Sequence, residues 1–300
     1  MKSVLITGGS GALGQQLTSF LLNKGYTVSH LSRSPGKDPK VKTYQWDVNN
    51  GVIDEACIDG VDTIIHLAGA GIADERWTDK RKKVLIESRT KSIALLYNLL
   101  KRKPHKVKSV ISASGIGYYS DREDKLMYES NAPNTDFLAQ CCIEWEAAVD
   151  EGHQLGLRIV KFRTGVVLDK KEGALPQLSL PVKFGFGAAL GSGKQWISWI
   201  HWHDVAAMYL FAIENNIQGT FNMVAPHPVT NKQLTKAVAK VLKRPFWMPN
   251  VPGFALKTFL GEMATLVLGS TKVSAQKIQE AGYKFKFVNL NEALQDIYAK

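Results

Sequence analysis

Residues 4 to 17 read VLITGGSGALGQQL: four glycines within seven positions, set between an apolar run and a helical stretch. Such a segment must turn from strand to helix with almost no side-chain bulk at the turn. It satisfies both G-x-G-x-x-G (Gly9, Gly11, Gly14) and G-x-x-G-x-x-G (Gly8, Gly11, Gly14). In a strand–turn–helix context one glycine permits the tight turn, a second lets a pyrophosphate approach the backbone, and a third lets the helix pack on its strand. The helix N-terminus adds unpaired N–H groups and the positive end of its dipole. Gly8, Gly9, Ser10, Gly11, Ala12, Leu13 and Gly14 are therefore expected to hold a dinucleotide.

The end of the second strand indicates which dinucleotide. An NAD site places an acidic residue there to bind the ribose hydroxyls. This chain has Ser32 and Arg33 at that point, Lys37 close behind, and no carboxylate before Asp38. A guanidinium and a hydroxyl match a 2′-phosphate, so NADP(H) is expected over NAD(H); the competing reading of Arg33 is an exposed loop arginine. Asp47, after the third strand, either accepts from the adenine amino group or caps the strand end. In HLAGAGI, after the fourth strand, the small residues Ala68 and Gly69 let a cofactor pass over the strand end, and Leu67 beside them is a further cofactor-binding candidate. Arg89 in the next helix either reaches the pyrophosphate or is solvated.

With 300 residues, 45% of them hydrophobic, the chain can bury one large core with a smaller appendage. Short β-branched runs alternate with helical stretches up to about residue 165: KSVLIT, YTVSHLS, VKTYQW, VDTIIHLA, VKSVISAS and LRIVKFRTGVVL read as strands. The longest helices are expected over 13–24, 79–102 and 137–155. Strands with little polar alternation, separated by helices, imply a doubly wound α/β fold with a parallel sheet covered on both faces. Residues 1–170 form the nucleotide-binding domain in this reading, its sheet completed by strands up to about 225. Residues 171–300 form a small, mainly helical substrate lobe.

The net charge of +11 is compatible with nucleic acid, an anionic membrane surface or an anionic small ligand. KRKK (80–83) and KRKPHKVK (101–108) lack interleaved aromatics and read as solvated faces, the second meeting a helix C-terminus. No nucleic-acid partner is expected. Cys57, Cys141 and Cys142 make no paired framework, which fits a reducing compartment. The N-terminus leaves no room for a signal peptide's apolar region, and the apolar segment 251–269 carries Lys257 and Glu262. Cytoplasmic residence with no membrane partner is the expectation; monomer and homodimer stay open.

TGGSGALG, HLAGAGI, SASGIGYYS, FLAQCCIEWEAA, FRTGVVL and GSGKQWISWIHWHD together resemble the extended short-chain dehydrogenase/reductase superfamily, within it an atypical epimerase-family branch with a C-terminal domain of unknown function. The resemblance covers nearly the whole chain and implies a Rossmann-type domain with a C-terminal substrate lobe. Its nucleotide-sugar relatives place a Ser or Thr after the fifth strand and Tyr-x-x-x-Lys on the following helix, the Tyr acting as general acid/base. Ser114 matches the first position. The helix reads DFLAQCCIEWEAAV, with neither Tyr nor Lys. Tyr97 and Lys101 have the spacing but precede Ser114, and are read as chance.

Ser114 and Tyr118 are the catalytic candidates, Ser114 to polarise a carbonyl and Tyr118 or water to supply the proton, with a pocket wall as the plainer role for Tyr118. Cys141 and Cys142 read as buried small hydrophobes. Arg163, Lys194 and Trp199 are candidate contacts to a small, anionic substrate. His201 and His203 share a face if both lie in a strand, but no further ligands complete a site, so no metal is expected. Two functions follow: an NADP(H)-dependent oxidoreductase or nucleotide-sugar-epimerase-like enzyme, or a non-catalytic NADP(H)-binding sensor or scaffold.

Overall fold

The computed structural model describes residues 2–36 and 38–299, so Lys37 lies outside the described residues. The strands in chain order are β1 (Ser3–Thr7), β2 (Thr27–Ser32), β3 (Lys42–Asp47), β4 (Val52–Ile53), β5 (Thr63–His66), β6 (Ser109–Gly115), β7 (Leu126–Met127), β8 (Arg158–Thr164), β9 (Val166–Leu168), β10 (Trp196–Ile197), β11 (Trp199–His201), β12 (Gly219–Met223), β13 (Val229–Thr230) and β14 (Lys272–Val273). Eight of them form one sheet in the order β12-β8-β6-β5-β1-β2-β3-β4. All its pairings are parallel except β3 with β4. The chain winds outward from β1 through β2 and β3, then returns to lay β5 on the other side of β1. That reversal opens a crevice above the carboxyl ends of β1 and β5, where such sheets bind ligands.

The helices are α1 (Ala12–Asn23), α2 (Asp79–Arg102), α3 (Phe137–Asp150), α4 (Ala174–Lys183), α5 (Trp202–Glu214), α6 (Asn231–Val241), α7 (Gly253–Leu260), α8 (Thr265–Leu268), α9 (Gln276–Glu280) and α10 (Leu290–Ala299). Strand parity divides the core. Val4, Ile6, Ile65, Ile111 and Val160 pack with Leu17 and Leu21 of α1 and Met208 and Tyr209 of α5. Their neighbours Leu5, Ile64, Val110 and Ile159 face the other way, onto Ile93 and Leu96 of α2 and Trp145 and Val149 of α3. Both faces being covered explains why these strands show no polar alternation. A third cluster joins α4, α6 and α10 in the lobe through Leu175, Leu234, Val238 and Leu294.

Two expected elements are divided. LRIVKFRTGVVL is not one strand: β8 stays in the large sheet, while β9 leaves it to pair with β11. Gly165 is the break. A Cβ there would lie within van der Waals overlap of the Ser198 carbonyl, whose oxygen accepts from Val166 N–H at 2.8 Å. The helix expected over 137–155 ends at Asp150 and tightens into a 3₁₀ turn, Glu151–Leu155, closed by Gly156 at φ +69°.

Candidate functional site

The glycine loop fits the group it is expected to hold. Gly11 is the N-cap of α1 and makes no side-chain cap, so the first N–H groups of the helix are left for a ligand. Gly8 stands at φ +71°, packed against the backbone of Leu67 and Ala68. Thr7 Oγ1 accepts from Leu67 N–H and Ala68 N–H at 3.2 and 3.1 Å, tying the end of β5 to the end of β1. Gly9 lies over the ring of His30, which is held by Thr18 at 2.7 Å. The loop, the end of β2 and the end of β5 thus meet in one crevice.

Around that crevice the individual expectations divide. Ser10 and Ala12 flank Gly11, and Leu13 packs partly into the core below. Ser32 ends β2, half-buried, and Arg33 follows it, exposed. Asp47 closes its own turn: its carboxylate accepts from Asn49 N–H, Asn50 N–H and the Asn50 side-chain amide, and those Asn50 bonds hold it below the usual carboxylate range. Strand-end capping therefore accounts for it, and an adenine contact is not needed to do so. Arg89 lies behind Gly69, donating to the carbonyls of Leu85 (2.7 Å) and Ala70 (3.0 Å) and stacking over Trp145. These contacts make it a brace for the 68–71 loop. Beneath it, burial and the Arg89 charge press the His66 imidazole down to about 3, so it is neutral, bonded to Ser92 and Ser112.

Ser114 sits near the end of β6 as expected, but its proton is engaged. Its hydroxyl donates to Glu146 Oε1 at 2.7 Å. Both oxygens of Glu146 also accept from Arg163, Oε1 from Nε and Oε2 from Nη2, each at 2.8 Å. Ser114, Glu146 and Arg163 are all more than nine-tenths buried. Burial alone would lower the Arg163 guanidinium; the Glu146 bonds and charge, with Tyr119, outweigh it and raise it. Arg163 Nη1 donates to the Tyr119 hydroxyl at 2.9 Å, and that hydroxyl donates to Asn222 Oδ1 at 2.8 Å. Burial pushes the Tyr119 phenol up to about 12, so it keeps its proton.

This network corrects three expectations. Ser114 as seen presents lone pairs, not a proton, to anything above it, because one hydroxyl has one hydrogen. Arg163 is not open to an anionic substrate, since a buried internal carboxylate already neutralises it. Tyr118 covers Arg163, its ring 3.3 Å from the guanidinium carbon, which is the wall role rather than that of an acid. The helix after β6, α3, turns Leu138 and Cys142, an apolar i, i+4 pair, toward Gly117. Cys142 donates weakly to the Gly115 carbonyl, and burial pushes its thiol up to about 12. Cys141 is raised in the same way. Neither thiol is an activated nucleophile.

Sequence reasoning placed Tyr119 on the loop after Ser114 without giving it a role, and passed over Glu146 and Asn222. The available signal was a complementary pair: one arginine inside an apolar strand run and one glutamate inside the helix packed on it. In the lobe, Lys194 is exposed on the loop before β10. Trp199 is a core residue with no exposed surface, its indole N–H donating to the His227 carbonyl, so it is not a substrate contact. His201 and His203 do not share a strand face. His201 ends β11 and accepts from His203 N–H as the cap of α5, while Asp204 accepts from the Tyr283 hydroxyl and from Lys286 and Phe287 N–H.

The chain as a whole is similar to known proteins. Residues 4–224 match the model of the NAD dependent epimerase/dehydratase family, and residues 251–297 match a domain of unknown function, DUF1731. The chain is 38% identical over 301 residues to the epimerase family protein YfhF of Bacillus subtilis (strain 168), covering 99% of this chain and 98% of that one. Among solved structures it resembles human epimerase family protein SDR39U1 (isoform 2) with NADPH, at 29% identity, TM-score 0.87 and 99% coverage of both chains. UDP-glucose 4-epimerase of Thermus thermophilus, complexed with NAD, shares the fold at 18% identity and TM-score 0.75, with 99% of each chain covered. With the glycine loop, the reversed strand order and the C-terminal lobe all present, the chain belongs to the NAD-dependent epimerase/dehydratase family.

Proposed function

We propose that the protein is an NADP(H)-dependent oxidoreductase or epimerase-like enzyme, acting on a small carbonyl or hydroxyl compound held between the crevice and the C-terminal lobe. One observation carries this reading: an uncapped α1 N-terminus and a glycine loop that fit a pyrophosphate, in the same fold as Ser114 at the end of β6. The preference for NADP(H) draws support from Ser32 and Arg33 at the end of β2 and from the NADPH in the human relative. When bound, the cofactor supplies or takes a hydride at the substrate carbon. Gly8 to Gly14 would hold and orient it, and Arg89, packed where a Cβ on Gly69 would stand, would brace the loop beside it. Ser114, its hydrogen directed to Glu146, accepts a hydrogen bond from a substrate hydroxyl, which matches the alcohol form of the substrate. In the reducing direction the proton reaching the carbonyl oxygen comes from water, with Tyr118 as a wall of the site.

Calorimetric titration with NADPH and NADH is the test. Arg33→Ala is expected to weaken NADPH about 10- to 100-fold, the worth of one charge-assisted phosphate contact, and to leave NADH unchanged. Equal affinity for both cofactors in the unaltered protein would remove the NADP(H) assignment.

The missing Tyr and Lys and the engaged proton of Ser114 favour a second reading, a non-catalytic NADP(H) sensor or scaffold. It predicts that NADPH changes the protease cleavage pattern of the lobe while a carbonyl panel gives no turnover. Stoichiometric NADPH oxidation with any panel member would exclude it.

A further inference from the structure

The lobe carries an exposed apolar surface flanked by cations. Residues 173–203 and 215–261 contain eight Lys or Arg and no Asp or Glu. On the same segments Phe184, Phe186, Trp247, Phe254 and Phe259 are 71, 60, 69, 75 and 73% exposed. Large apolar side chains scattered singly need no explanation, but these occupy three segments that touch. The end of α4 meets the 245–252 connector where Gly187 packs against Val182 and Phe246. The connector runs beside the following loop, with Gly191 N–H donating to the Val251 carbonyl and Asn250 Nδ2 to the carbonyls of Gly191 and Ser192. The connector then leads directly into α7.

None of the eight residues of α7 is buried, although five of them are Phe, Ala or Leu. A helix of this kind lies on its own protein without sinking into the core, and a face so exposed and apolar marks an interaction surface. Lys183, Lys243, Arg244 and Lys257, all exposed, flank the aromatics. The nearest carboxylate along the chain, Glu262, is engaged with Lys82 at 2.6 Å.

We propose that this face docks on an anionic lipid bilayer surface, with Phe254, Phe259 and Trp247 entering the headgroup boundary and the surrounding cations meeting lipid phosphates. The charge selects the occupant. A second copy would bring two faces rich in Lys and Arg together, Lys183, Lys243, Arg244 and Lys257 on each, and like charges oppose that pairing. A nucleic acid would engage the cations but leave α7's leucines and phenylalanines largely unused, whereas apolar insertion flanked by Lys and Arg is how interfacial helices bind. Among the described residues no helix is long and apolar enough to cross a membrane, so the contact is peripheral. This departs from the expectation of no membrane partner, which rested on the lack of a spanning segment and on basic runs read as solvated faces.

Flotation with phosphatidylcholine vesicles, with and without an equal part of phosphatidylglycerol, tests the proposal on the full chain. Retention is expected only on the anionic vesicles. It should fall about tenfold or more in Phe254→Ser/Phe259→Ser and, separately, in Lys243→Glu/Arg244→Glu. NADPH affinity unchanged in both variants shows that each remains folded. Equal recovery on both vesicle types, or retention indifferent to the phenylalanine pair, overturns the proposal. So does a dimer in sedimentation velocity that dissociates in the phenylalanine variant while vesicles are ignored, or nucleic-acid retention that survives it.

Discussion

Glu146→Ala is expected to destabilise the fold by about 3–5 kcal/mol, the usual result of removing one partner from a buried ion pair. The substitution leaves Arg163, a buried residue with Tyr118 over its guanidinium and Tyr119 beside it, without its carboxylate partner. Ser114 loses its acceptor at the same time. Arg163→Ala should be similarly damaging, because it strands the Glu146 carboxylate. The double replacement Glu146→Leu/Arg163→Met should cost far less than the sum of the two, since it removes both charges and keeps most of the volume. Chemical denaturation of the three variants reads this directly. Additive effects, or a Glu146→Ala loss below about 1 kcal/mol, would mean that water screens the pair and that it behaves as a surface salt bridge.

That network also shows where reading from sequence stops. The sheet strands were legible because burial on both faces removes polar alternation, and α2 matched its expected bounds because Thr78 caps it and Lys101 and Arg102 close it. The glycine loop was legible because its spacing is a local pattern, with Gly14 packed on the loop's own backbone at Gly8 and Gly9, although Gly8 and Gly9 also face Leu67, Ala68 and His30. What failed was set by distant chain. Gly165 breaks a continuous β-branched run only because the Ser198 carbonyl crosses it. Arg163 looked available for a substrate because its partner, Glu146, comes from another element; Trp199 looked like a pocket residue because an exposed and a buried tryptophan have the same sequence signature. The loss of Tyr and Lys was plain in the sequence. That Leu138 and Cys142 of α3 face Gly117 required the packing.

Gly14→Ala is expected to weaken NADPH binding at least about 100-fold and to destabilise the protein by about 3 kcal/mol or more. The added Cβ would overlap the Gly8 carbonyl oxygen and lie 2.7 Å from Gly9 Cα and 2.9 Å from the Gly9 carbonyl carbon. All three are backbone atoms, so no side chain can swing aside; either α1 moves off β1 or the loop opens, and both displace the N–H groups meant for the pyrophosphate. Gly11→Ala separates ligand approach from folding. Its Cβ would meet nothing nearer than the Gly8 oxygen at 3.5 Å, and the residue stands at φ −75°, which alanine adopts freely. Its stability loss should therefore stay below about 1 kcal/mol, the ordinary cost at an N-cap. If Gly11→Ala nevertheless loses NADPH in calorimetry while its thermal transition holds, the glycine is required by what passes over the loop and not by the fold. If Gly11→Ala binds normally and Gly14→Ala fails, the loop's glycines serve helix packing alone, and the pyrophosphate sits farther from Gly11 than the fingerprint implies.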